Sequence, residues 1–176
     1  MKLNVPENIL SLKPYAPGKP IEELEREYGI SGSIKLASNE NPLGPSPKAV
    51  AAMGAALGNL HRYPDASGYY LVARLAEKLS VSRDQIVLGN GSNDVLDIAA
   101  QAFLTPATSS VHAQHAFAVY PIATQTAGAQ SIVVPAKDYG HDLAAMRAAI
   151  RDDTRGLWIA NPNKPTGTIL PWAKIE

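Results

Sequence analysis

Asn161–Thr168 reads NPNKPTGT and directly follows GLWIA at Gly156–Ala160. A short apolar run followed by two prolines and a glycine reads as a buried strand that ends abruptly in a loop. In an open α/β sheet, a loop at the carboxyl end of a strand lies on the edge where ligands bind. Asn163, Lys164 and Thr166 are the polar residues that would face such a site.

Working back from this stretch, Ser131–Val134 reads as a strand, Ser109–Gln114 as a weaker one, and Gln85–Leu88 as a brief apolar one. Helical spacing separates them. Asp94–Phe103 ends before Pro106, Phe117–Ala127 is interrupted early by Pro121, and Leu143–Ile150 opens after Asp142, an N-cap candidate. Alternating strands and helices from about residue 85 onward predict βαβ units, hence an α/β fold with a mainly parallel sheet.

The upstream part is organised differently. Prolines at 6, 14, 17 and 20 predict an extended arm over residues 1–20. Pro20 is suited to start a helix over Ile21–Tyr28, which Gly29 stops. Ile34–Ala37 reads as a short strand, Ser38–Pro47 as a polar connector, Lys48–Leu57 as an Ala-rich helix, and Asn59–Gly68 as a loop. Tyr70–Leu79 places Leu71, Leu75 and Leu79 on one helical face. The domain boundary is expected near residue 66, with arm and helical lead-in over 1–66 and the sheet-bearing domain over 67–176.

Bulk composition narrows the function. The 176 residues are 45% hydrophobic, enough for a core, and carry sixteen basic against sixteen acidic side chains. Balanced charge without a basic cluster argues against a nucleic-acid or anionic-membrane partner. There is no cysteine, which excludes disulfides and thiolate metal sites. Met1–Ser11 has no signal-peptide pattern, and no apolar run approaches the roughly eighteen residues of a membrane span, so a cytoplasmic location is expected.

One further segment has the outline of a site. Gly89–Asn93, GNGSN, follows an expected strand and opens an expected helix. It suits a phosphate cradle, with glycines allowing close backbone approach and N–H groups aimed at an anion. It equally suits a tight turn capped by Ser92 or Asn93. Asp94 stands where a dinucleotide motif needs its third glycine, and no Gly-Lys-Ser/Thr follows, so a phosphate-bearing group that is neither dinucleotide nor triphosphate fits better. His112 and His115 would fall on opposite faces of a strand, a poor metal pair, and no Gly-x-Ser-x-Gly elbow occurs. The aromatic run Phe117–Tyr120 reads as core.

Seven segments in order, KPYAPGKP at 13–20, KLASNENPLGPSPKAV at 35–50, HRYPDASG at 61–68, IVLGNGSND at 86–94, HAFAVYP at 115–121, VPAKDYGHDL at 134–143 and ANPNKPTGT at 160–168, resemble the histidinol-phosphate aminotransferases. These belong to the pyridoxal-phosphate fold type I superfamily. The resemblance implies part of a three-layer α/β/α large domain with an N-terminal arm. It implies pyridoxal 5′-phosphate as cofactor, its phosphate held around Gly91, Ser92 and Asn93 and its ring stacked on Phe117. It implies that Tyr63 reaches the phosphate of a neighbouring subunit, hence a homodimer, that Tyr15 lies over the substrate, and that substrate-binding Asn39 belongs, with Glu40, to the segment leading into that pocket. Glutamate, 2-oxoglutarate, histidinol phosphate and imidazole-acetol phosphate are the implied substrates and products, in histidine biosynthesis.

The resemblance also implies what lies elsewhere. The family's Schiff-base lysine, the aspartate facing the pyridine nitrogen and the substrate-binding arginines fall beyond residue 176. The family sheet has order 3-2-4-5-6-7-1, of which this chain supplies strands 1 to 4. Strand 1 is therefore expected without its neighbour, while strands 3, 2 and 4 still pair. The family's asparagine before the second proline of the loop, which bonds the cofactor's phenolic oxygen, is Lys164 here. A truncated segment inactive on its own is the expectation. An aromatic amino acid aminotransferase and a non-catalytic cofactor-binding or dimerisation module are the alternatives.

Overall fold

A computed structural model describes residues 4–175. In chain order the elements are α1 (Glu7–Leu10), α2 (Ile21–Tyr28), α3 (Pro47–Ala56), α4 (Tyr69–Leu79), α5 (Ser92–Phe103), β1 (Ser109–Ala113), α6 (Val119–Thr126), β2 (Gln130–Val134), α7 (Leu143–Ala148) and β3 (Thr154–Trp158). They form two compact units, Met1–Tyr15 with Val87–Glu176, and Ala16–Ile86.

In the first unit β1 is the middle of a three-stranded parallel sheet of order β2-β1-β3. These are the pairings expected of strands 3, 2 and 4. Val111 lies opposite Ile132 on one side and Leu157 on the other, and every residue of β1 is buried, as a strand covered on both faces requires. Alternation along the strand sorts these residues between two clusters. Val111, Ala113 and Val134 pack with Met146 of α7, and on the opposite face Ala100 and Leu104 from the α5 segment pack with Val119, Ala123 and Ala129. Ser110 faces α6, where its hydroxyl lies 2.7 Å from Thr124 Oγ1, which donates to the Tyr120 carbonyl at 2.8 Å. A fully buried polar pair is thereby satisfied within the core.

Gln85–Leu88 does not form a strand. Residues 83–85 make a 3-10 turn closed by a capping box between Ser82 and Gln85, and Ile86 continues in extended conformation without a sheet partner. An isolated extended segment gains no ladder hydrogen bonds, and Val87 is 64% exposed. Ile34–Ala37 likewise forms no strand, and Ile34 and Leu36 are almost wholly exposed.

Part of the N-terminal arm is an element after all. Pro6 precedes the single turn α1, and Asn8 and Gln125 exchange hydrogen bonds, Asn8 Nδ2 donating to Gln125 O at 3.0 Å and Gln125 Nε2 to Asn8 O at 2.9 Å. This reciprocal pair fastens the arm to α6.

Within Ala16–Ile86, Gly29 ends α2 in the left-handed region, and Asp65 accepts from the N–H groups of Ser67 and Tyr69 ahead of α4. The Tyr69 bond, then those from Ser67, holds the Asp65 carboxyl below the usual range. The Arg83 guanidinium lies 4.3 Å over the Tyr69 ring and donates to the Tyr69 carbonyl at 3.0 Å. Those contacts hold Arg83 to the start of α4 within the Ala16–Ile86 unit.

Candidate functional site

All strands of the sheet run parallel, so the loops leaving the carboxyl ends of β1 and β3 lie on one edge. The loop after β3 is built around Asn163. Its side chain is buried, and Nδ2 donates to the His115 carbonyl and to Thr166 Oγ1, each at 2.8 Å. Its backbone N–H donates to the Thr168 carbonyl, and its carbonyl accepts from Gly167 N–H. At the base of the loop, Asn161 Nδ2 donates to the Leu170 carbonyl while Asn161 Oδ1 accepts from Leu170 N–H, both at 2.9 Å. Two asparagines therefore hold a proline-rich segment that cannot form a ladder. The peptides preceding Pro162 and Pro165 are cis.

This scaffold brings three of the expected site residues together. Lys164 Nζ lies 4.5 Å from the Phe117 ring centroid, a cation over an aromatic face. Tyr15 meets the same ring edge-on at 6.4 Å and 74°. Behind Phe117, Tyr120 makes a second edge contact at 5.9 Å and stacks on Trp158 at 5.3 Å and 10°. Phe117 is thus both core, as its composition suggests, and the boundary of the loop cluster. His115, whose carbonyl anchors Asn163, stacks on Tyr139 at 5.7 Å.

The GNGSN turn opens α5. Gly91 caps the helix at φ +94° and ψ 172°, a conformation that side-chain-bearing residues rarely adopt. The cap is thus Gly91; Ser92 is the first helical residue, which excludes the reading with Ser92 or Asn93 as cap. No side chain bonds the first turn, and Ser92 and Asn93 are exposed, leaving the helix N-terminus open to an anion. Asn90 N–H donates to the Asp94 carboxylate at 2.9 Å, and a Cβ at Gly89 would sit 2.9 Å from Val95 Cγ2, so the turn is closely folded. The helix it opens and Phe117 pack on one hydrophobic cluster.

Tyr63, Asn39 and Glu40 belong to the other unit. There Tyr63 is fully exposed, Asn39 has φ +54°, and Glu40 pairs with Lys35 at 2.7 Å. His112 is buried with Nδ1 3.0 Å from the Ala113 carbonyl and Nε2 3.0 Å from Ser131 Oγ. Desolvation, opposed by the Ala113 hydrogen bond, pushes its pKa below the ordinary imidazole value. A neutral ring donating from Nδ1 and accepting at Nε2 satisfies both contacts. Among the described residues no group of three or more His, Asp or Glu is placed to hold a metal, and no helix is long and apolar enough to cross a membrane.

Sequence reasoning missed the Asn163 anchor, the Tyr120–Trp158 stack and the His115–Tyr139 pair. The first carried a signal, since an Asn inside a loop is a candidate to bond backbone. The aromatic pairs join residues distant in sequence and carried none.

A parallel sheet whose carboxyl edge carries an aromatic platform and a proline-rich loop, with the glycine-capped helix α5 packed on the same hydrophobic cluster as Phe117, agrees with a sequence comparison. The profile of the family "Aminotransferase class I and II" matches residues 31–176, and the chain belongs to that family. It is 62% identical over 173 residues to histidinol-phosphate aminotransferase 1 of Thiobacillus denitrificans, covering 97% of this chain and 45% of that protein. It is 60% identical over 170 residues to histidinol-phosphate aminotransferase 1 of Dechloromonas aromatica, covering 96% and 46%. The crystal structure of histidinol-phosphate aminotransferase from Sinorhizobium meliloti in complex with pyridoxal-5′-phosphate superimposes with a TM-score of 0.87 at 25% identity, over 99% of this chain and 47% of that one. The chain therefore spans less than half the length of these relatives, matching their N-terminal half.

Proposed function

We propose that this chain is the cofactor-gripping N-terminal half of a cytoplasmic, homodimeric histidinol-phosphate aminotransferase, and that the 176-residue polypeptide alone binds pyridoxal 5′-phosphate without completing transamination. The observation that carries this reading is the convergence of Tyr15, Phe117 and the Asn163-anchored loop in one cluster. The residues fit the group. The α5 start, where Gly91 sits at positive φ and no side chain bonds the first turn, offers backbone N–H donors to a phosphate, and Phe117 offers an aromatic platform.

When bound, the cofactor supplies the electron sink that lets an amino group pass from glutamate to imidazole-acetol phosphate. The chain's own residues orient it. Gly91, Ser92 and Asn93 fix the phosphate, Phe117 fixes the plane of the ring, and Tyr15 shields the ring edge from water. Tyr63 reaches the phosphate held by a second subunit, as the family resemblance implies. Lys164 places an ammonium where the family resemblance implies a neutral amide, so the oxygen it meets is held by charge.

The test is ligand retention by the purified chain. Charge-assisted bonds to a phosphate contribute about 1.5–3 kcal/mol each, so pyridoxal lacking the phosphate should bind at least roughly tenfold more weakly than pyridoxal 5′-phosphate. Glutamate-dependent turnover should stay at the level of free cofactor. Equal retention of the two compounds, or turnover well above that blank, contradicts the reading.

A further inference from the structure

Lys164 differs from the other paired lysines of the chain. Lys19 and Lys35 meet Glu27 and Glu40, whereas Lys164 has no carboxylate partner among the described residues and rests on Phe117 instead. Its backbone is held on both sides, by Asn163 through the His115 carbonyl and by the Asn161–Leu170 pair. The stem can swing while its root stays fixed.

The 4.5 Å separation between Nζ and the Phe117 centroid falls at the near end of the roughly 4.5–7 Å spacing at which two aromatic rings stack. The amine and a stacked ring therefore compete for one slot. A ring admitted to that slot displaces Nζ sideways by about one ring radius, against the ring's own substituents. An aldehyde on that ring is then beside a primary amine with no acidic partner to hold it away.

We propose that Lys164 captures the aldehyde of a pyridoxal-type ring as an imine, making this loop a covalent attachment point of the chain; the inference rests on the cofactor-binding reading. The Lys164 ammonium first gives one proton to solvent, and the neutral amine so formed adds its lone pair to the aldehyde carbon and forms the C–N bond. Both remaining N–H protons leave with the carbonyl oxygen as water, and a C=N bond results. Nothing is oxidised or reduced, and no co-reactant is required.

The test treats the 176-residue chain with pyridoxal 5′-phosphate, reduces with borohydride to fix any imine as a secondary amine, and maps the labelled peptides. Lys137 and Lys174 are exposed lysines of the same unit and serve as internal references. Label at Lys164 should exceed label at either by roughly fivefold or more, F117L should erase that preference, and K164R should remove the labelled peptide. Pyridoxamine 5′-phosphate, which keeps ring and phosphate but has no aldehyde, is titrated in parallel. Even labelling with intact pyridoxamine phosphate binding overturns the inference and leaves the cofactor-binding reading standing. Even labelling with no such binding overturns both.

Discussion

Replacing Asn163 probes the support under the whole site. Its side chain is 4% exposed, and Nδ2 spends both protons, one on the His115 carbonyl and one on Thr166 Oγ1. Asn163→Ala removes two hydrogen bonds with a net contribution of about 1 kcal/mol each. It also deletes Oδ1, which is buried without a partner, and that deletion returns part of the loss. The expected destabilisation is about 1–2 kcal/mol. Asn163→Asp keeps the shape but turns an oxygen toward the His115 carbonyl and buries a charge, so it should cost about 3 kcal/mol or more near neutral pH. Urea unfolding followed by tryptophan fluorescence reads both, since Trp158 and Trp172 lie in the same unit as the loop. Stability of N163A within about 0.3 kcal/mol of the parent, or N163D no worse than N163A, would refute the anchor.

Met146 is wholly buried against β1 and β2, so M146A should cost about 2–5 kcal/mol in the same urea titration. Gly91→Ala forces a side chain into positive φ and should destabilise by about 1–3 kcal/mol; it should also weaken retention of pyridoxal 5′-phosphate more than that of pyridoxal. His112 titrates lower folded than its unfolded value of about 6.5, so its stabilising effect is complete above that pH and is lost as the pH falls. The urea midpoint should drop between about pH 7.5 and about pH 5, and less steeply in H112N; identical slopes would count against a buried neutral ring.

Much of the architecture was readable because it is local. Pro20 and Gly29 bracket α2, Asp142 caps α7 by accepting from Ala145 N–H, and the strand expectations at 109, 131 and 156 fall on β1, β2 and β3. Two strands failed for a non-local reason. Ile34–Ala37 and Gln85–Leu88 have strand composition, but pairing needs a neighbour that the segment's own residues do not specify. Pro121 was read as interrupting a helix, yet it falls in the first turn of α6, where its missing N–H breaks no bond. The pairing order β2-β1-β3 came from the family resemblance rather than from periodicity. At the site, Phe117 and Lys164 were named separately; that they touch depends on the Asn163 bond to His115, a contact across 48 positions.

The central claim, that the slot over Phe117 receives the cofactor ring, is tested most directly by a crystal structure of the chain grown with pyridoxamine 5′-phosphate. The account predicts the pyridine ring stacked on Phe117 at about 4.5–7 Å between centroids, the phosphate against the N–H groups of the α5 start, and Lys164 displaced to the ring edge. A ring bound elsewhere, or Lys164 still seated on Phe117 with the ligand bound, would contradict it.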